Sequence, residues 1–295
     1  MAYIGYLFFR IIVFIFSIIP FWLLYKIADF LAWVLKTVVG YRKKVVLAQL
    51  KLAFPHKSDK EIQKIMHDSY KNLADIIVES IKGFTMSETD YRKRFIFVNP
   101  EVANQLHKQG KSSIHVAAHY GNWEWGAMTY PLWVEKPVLG FYKPLSNPYI
   151  EAYGKMKRGR YGMTLIPIGE TSAAFKKYAD EATTYVFVSD QSTWSDKAHW
   201  VTFLGQDTAC PPGVDKYARQ LNAAVYYIEL NRVKRGFYEV KLELLAEPNQ
   251  ETQEGEITGL FMSKLEKILH QKPENWLWSH KRWKKKREPV VNNPS

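Results

Sequence analysis

Between Arg94 and Leu245 the chain repeats one pattern: short runs rich in β-branched and aromatic residues, separated by stretches of helical spacing. The runs read RFIFV, SSIHVAA, VLGFY, MTLIPI, TTYVFVSD, WVTFL, AAVYYIEL and YEVKLELL. Alternation of this kind predicts an α/β fold, a mixed sheet flanked by helices. Helical patterns fall between many of the runs, over residues 146–158, 171–182 and 213–221. Upstream, Ser58 and Glu61 form a capping box before Ile62, Ile65, Met66, Leu73, Ile76 and Ile77, whose spacing predicts an amphipathic helix. No internal repeat and no Gly/Pro/Ser-rich linker divides this part, so one domain is expected over residues 41–295.

The first 40 residues are different. Met1 to Tyr25 carries a single charge, Arg10, and its apolar character continues beyond Lys26. About 20 apolar residues in a helix cross a bilayer, so the expectation for residues 1–40 is a membrane anchor helix that spans the bilayer or lies in its interface. Pro20 is expected to kink it. A cleaved signal peptide is disfavoured, because no basic residue precedes the apolar run. Arg42, Lys43 and Lys44 follow, which places the remaining chain on the cytoplasmic side.

Lysine plus arginine number 41 against 29 aspartate plus glutamate, a formal net charge of +12. The partner expected is therefore anionic: nucleic acid, an acidic membrane surface, or phosphorylated substrates and carriers. Six of the seven residues from Lys281 to Arg287 are basic, near Trp276, Trp278 and Trp283, a pairing typical of interfaces with lipid. A single cysteine, Cys210, excludes an internal disulfide.

The stretch AAHYGNWEWG, from Ala117 to Gly126, carries the chemistry. His119 ends a strand, Gly121 makes a turn, and Asn122 caps a helix with Glu124 in its first turn, where the helix dipole favours a carboxylate. Along one continuous helix His119 and Glu124 would stand about 140° apart. The glycine break lets the carboxylate return to the ring. A carboxylate on one imidazole nitrogen leaves the other to take a proton from a hydroxyl. Two alternatives stay open at this point: His115 and His119, with Glu124, as metal ligands, and a purely structural histidine. There is no G-x-S-x-G elbow, P-loop or G-x-G-x-x-G.

The same stretch resembles the H-x4-[DE] block of bacterial lysophospholipid and lipid A acyltransferases, closest to the H-x-G-N-W-E form of the late lipid A acyltransferase family. YRKKVVLAQLKLAFPHKSDKEI is similar to that family's segment after the anchor, with Gln49 where asparagine is usual. FYKPLSNPYIEAYGKMKRGRYG, VFVSDQS, VTFLG and KPENWLWSHKRW follow in the family's order. The resemblance implies a single glycerol-phosphate-acyltransferase-like domain that moves a fatty acyl chain from an acyl carrier protein thioester, or acyl-coenzyme A, to a hydroxyl of a lipid A precursor. It implies work at the cytoplasmic face of a bacterial inner membrane, among membrane lipids, with neither nucleic acid nor cofactor nor metal. His119 and Glu124 are the implied catalytic pair. Asn122, Lys143, Asn147, Arg158, Asp190 and Gln191 are the implied substrate-binding residues, Arg158 for phosphate or the oxyanion, and Asp190 and Gln191 to hold Arg158 or the acceptor. His280 and Arg282 are expected to be structural or at the membrane face. The rivals are the same transfer to another membrane lipid (an aminolipid or glycolipid), a membrane-anchored scaffold for anionic polymers, and a metal-dependent lipase.

Overall fold

Strands buried on both faces read as near-continuous apolar runs, which is why the central strands here show no polar alternation. In a computed structural model, which describes residues 1–135 and 137–287, seven strands form one sheet in the order β1-β9-β8-β2-β5-β3-β4. These are β1 (Phe95–Phe97), β2 (Ser113–Ala117), β3 (Val138–Tyr142), β4 (Met163–Pro167), β5 (Thr184–Val188), β8 (Ala224–Lys234) and β9 (Phe237–Ala246). All neighbours are parallel except β8 and β9, a long hairpin. A separate antiparallel hairpin joins β6 (His199–Phe203) to β7 (Gln206–Cys210). Of these strands only β7 is absent from the sequence-based expectation. Its QDTAC is polar at one end and apolar at the other, so it lacks a strand signature.

Side chains alternate across the sheet into two apolar cores. Ile114, Val116, Tyr185, Phe187, Val225 and Tyr227 face one, while Val138, Met163, Leu165, Tyr226, Ile228 and Leu230 face the other. Helices α3 (Lys43–Ala53), α4 (Asp59–Gly83), α5 (Glu88–Arg94), α6 (Glu101–Lys108), α7 (Trp123–Thr129), α8 (Pro148–Gly159), α9 (Thr171–Lys177), α10 (Gly213–Leu221) and α11 (Glu256–Gln271) surround it. The predicted capping box starts α4, with both reciprocal bonds between Ser58 and Glu61 present.

Residues 1–40 do not form the single helix expected. The apolar run is divided into α1 (Ala2–Ile18, 17 residues) and α2 (Phe21–Trp33, 13 residues), followed by a short π-helical turn at Val34–Val38. Proline disfavours helical backbone in the residue before it, and Ile19 is extended, so Pro20 ends one helix and begins another instead of kinking one. Among the described residues no helix is long and apolar enough to cross a membrane. Each helix packs one stripe inward, Val13 on α1 and Leu24, Ala28 and Ala32 on α2. The outward stripes leave Phe8, Ile11, Phe14, Trp22, Phe30 and Trp33 exposed. Residues 288–295 of the expected domain lie outside the described residues.

Candidate active site

The site grows out of strand register. Ala117 and Val188, the last residues of β2 and β5, are paired in parallel, and Ser189 N–H continues the ladder to the Ala117 carbonyl at 3.1 Å. Two residues beyond each strand end, His119 and Asp190 therefore emerge side by side at the carboxyl edge, where α/β sheets collect ligands. Asp190 Oδ1 lies 2.7 Å from His119 Nδ1. Its other oxygen, Oδ2, accepts the indole N–H of Trp276 at 2.7 Å. An ionised carboxylate only accepts, so Nδ1 carries the imidazole proton and Nε2 presents its lone pair. Nε2 faces the Gln191 amide nitrogen at 3.3 Å. Burial alone would raise the Asp190 carboxyl, but the facing His119 ring and the Trp276 donor outweigh it and hold the group below its ordinary value.

Glu124 does not hold the ring. Its Oε2 accepts from Nε and Nη2 of Arg158 at 3.0 and 2.7 Å, an ion pair between the first turn of α7 and the last turn of α8. The glycine turn is present, with Gly121 at φ +60°, and a Cβ there would meet Leu230 Cδ2 at 2.9 Å, so a larger residue would be strained and would have to displace Leu230. Helix α7 then sets off with Trp123 against His119, ring centroids 5.2 Å apart, and Glu124 is directed across to α8. The carboxylate on the His119 ring is thus that of Asp190, and Arg158 is held by Glu124 instead of by Asp190.

His119 and the Glu124–Arg158 pair line one cavity of about 590 Å³, with Asp190 buried behind the ring. His119, Glu124, Arg158, Lys143 and Gln191 line its polar end, and Phe95, Phe97, Ala127, Met163, Leu165 and Val240 line its apolar depth. Trp123 also lines the cavity, whereas Trp125 is buried with its indole N–H on the Glu79 carbonyl. Neither expected asparagine contributes to the wall. Asn122 is wholly buried: its Oδ1 accepts from Trp125 N–H, capping α7, and its Nδ2 donates to Glu79 Oε2 at 2.7 Å. Asn147 caps α8 through Tyr149 and Ile150 and donates to the Ala2 carbonyl, fastening α1 beside the cavity rim. In both residues the side-chain oxygen is committed to a helix cap and one amide N–H to another protein group.

His115 is not a companion of His119. Its buried ring contacts Ser113 Oγ at 3.0 Å and the Tyr130 hydroxyl, and burial pushes its pKa down to about 3. The C-terminal tryptophans expected at an interface turn inward: Trp276 and Trp278 are buried, the latter donating to the Pro273 carbonyl. This segment closes the back of the site. Gly121 N–H donates to the Asn275 carbonyl at 2.9 Å and Leu277 N–H to that of His119 at 3.0 Å. Gln49 clamps it from α3, donating to the carbonyls of Trp278 and His280 and accepting from Arg282 N–H. His280 Nε2 accepts from Ser192 N–H; burial and nearby Lys284 depress its pKa to about 4. Arg282 is buried against Ala209 and Cys210.

An imidazole whose Nε2 faces an apolar cavity, with only the long contact to the Gln191 amide on it, suits group transfer between greasy substrates, and the class is that of the acyltransferases. Residues 1–285 match the model of the bacterial lipid A biosynthesis acyltransferases, and the chain belongs to that family. Relatives are distant but collinear. Identity is 21% to the lipid A biosynthesis lauroyltransferase of Escherichia coli K12, over 92% of this chain and 89% of that protein. It is 24% to the palmitoleoyltransferase of the same organism, over 82% and 79%. It is 20% to a lipid A biosynthesis acyltransferase of Haemophilus influenzae, over 86% and 80%.

Proposed function

We propose that this acyltransferase moves a fatty acyl group from an acyl carrier protein thioester to a hydroxyl of a lipid A precursor, working on the cytoplasmic face of a bacterial inner membrane. The observation that carries the reading is the hydrogen-bonded Asp190–His119 pair opening into a largely apolar cavity. The acyl chain lies along the cavity's apolar wall, with its thioester carbonyl at the polar end. His119 Nε2 takes the proton of the acceptor hydroxyl. The oxygen attacks the carbonyl carbon, a C–O bond forms, the C–S bond breaks, and the proton passes from the imidazolium to the departing sulfur. Arg158, fixed by Glu124, supplies donors to the oxyanion or to an acceptor phosphate. Lys143, exposed at the rim, faces the same anionic substrates. The exposed apolar stripes of α1 and α2 lie in the lipid interface, and α1 is tied to α8 beside the cavity.

The test offers purified protein a labelled acyl carrier protein thioester and acyl-coenzyme A against lipid A precursor, aminolipid and glycolipid acceptors. Transfer to the lipid A precursor from the carrier-protein donor, lost in a folded His119→Ala variant, is the result expected. Transfer only to another lipid replaces the acceptor. Full activity of the alanine variant removes the mechanism.

A further inference from the structure

We propose that Trp276 is a positioning residue for the proton-transfer step: its indole N–H fixes the far oxygen of Asp190, whose near oxygen holds the His119 ring. This rests on the reading of His119 as the base. Asp190 is almost wholly buried, so each of its oxygens needs a donor from the protein. Its side-chain donors are His119 Nδ1 and Trp276 Nε1, both at 2.7 Å, and the His119 backbone N–H supports the same carboxylate. Trp276 can reach because the chain around it runs as a short antiparallel partner to the turn bearing His119. Tyr120 and Trp276 form a bridge, flanked by the bonds from Gly121 to Asn275 and from Leu277 to His119. The indole is wedged between Phe203 and Trp278, with centroids at 5.8 and 4.7 Å. Gln49 pins the chain just beyond it. The carboxylate thus has one allowed orientation, and the ring inherits it.

Removal of the donor has a definite sign. With Oδ2 bare, the carboxylate's charge is concentrated on the oxygen facing His119, which stabilises the imidazolium. The base then stays protonated to higher pH, and the carboxylate gains freedom to rotate. The other charged or titratable groups around the pair are His280, with Lys284 beyond it, Arg282, Cys210 and Tyr227 near Asp190, and Glu124, Arg158 and Lys143 along the cavity. None of these is altered by a change from indole to phenyl.

The experiment is Trp276→Phe, which keeps an aromatic ring in the wedge. The expected result is a fall in kcat of about tenfold with KM within about twofold, and an acid limb of the pH–rate profile displaced upward by roughly half a pH unit or more. An acid limb that stays in place, with activity reduced only in proportion to the folded fraction, overturns the proposal. The wild-type protein offers a check that needs neither variant nor substrate. By nuclear magnetic resonance the Trp276 indole N–H signal is expected to move as the His119 ring titrates; a signal indifferent to that titration overturns the proposal too. Because this reading uses no acyl donor, it separates failure of the positioning role from failure of the proposed transfer reaction.

Discussion

Replacement of Asp190 by asparagine separates the geometry seen here from the pairing of His119 with Glu124 that the motif suggests. The carboxylate accepts two hydrogen bonds of 2.7 Å in a buried place. Asparagine has one accepting oxygen, so one of the two N–H groups must face an NH2. If that group is Trp276, a buried donor is left unsatisfied at a cost of about 1–3 kcal/mol. If it is His119, Nδ1 must become the acceptor, the proton moves to Nε2, and no base faces the cavity. The loss of the imidazolium's counter-charge comes in either case. On the scale of carboxylate-to-amide changes in hydrolase triads, Asp190→Asn is expected to lower kcat by roughly 10³- to 10⁴-fold. KM should change little, since Asp190 sits behind the ring. The assay is initial-rate kinetics with thioester donor and lipid acceptor, with circular dichroism to confirm folding. Glu124→Gln is the control: it loosens Arg158 and is expected to cost less, about 10- to 100-fold. An Asp190→Asn enzyme within about threefold of wild-type kcat, beside a Glu124→Gln enzyme that is dead, would refute the assignment of roles.

Other outcomes follow from particular contacts. His115 is buried and neutral with its pKa depressed to about 3, so its contribution to stability is complete above the unfolded value near 6.5 and is lost as pH falls toward 3. Between pH 6.5 and 5 that residue alone should cost about 2 kcal/mol, and denaturant melts of His115→Phe should show a shallower acid dependence than wild type. Gly126 lines the cavity, and a Cβ there meets Phe95 Cζ at an ordinary 3.5 Å, so Gly126→Ala should fold while narrowing the slot. Long-chain donors should lose about tenfold more kcat/KM than short ones, and an unchanged chain preference would argue against the slot. Paired changes Phe8→Asp and Phe14→Asp touch only the exposed stripe of α1 and should weaken co-flotation with anionic vesicles without lowering melting temperature.

The sequence by itself determined what depends on neighbours along the chain. Strand runs, the Ser58 capping box, the Asn122 cap and the placement of His119 at a strand's carboxyl end all rest on local periodicity and backbone hydrogen bonding, and all are present. Pro20 breaks the apolar run locally, while the packing of both resulting helices against α4, with Lys82 donating to the Ser17 and Ile19 carbonyls, is a tertiary outcome. The partner of His119 was decided by tertiary structure alone. Glu124 is five residues away and Asp190 seventy-one, yet β2 lies beside β5, and pairing across a sheet sets which strand ends meet. Trp276 was likewise invisible as a donor, because a tryptophan near lysines carries the same local signal whether it faces lipid or a buried carboxylate. Local forces wrote the elements; the register of parallel strands and the return of the C-terminal segment assembled the site.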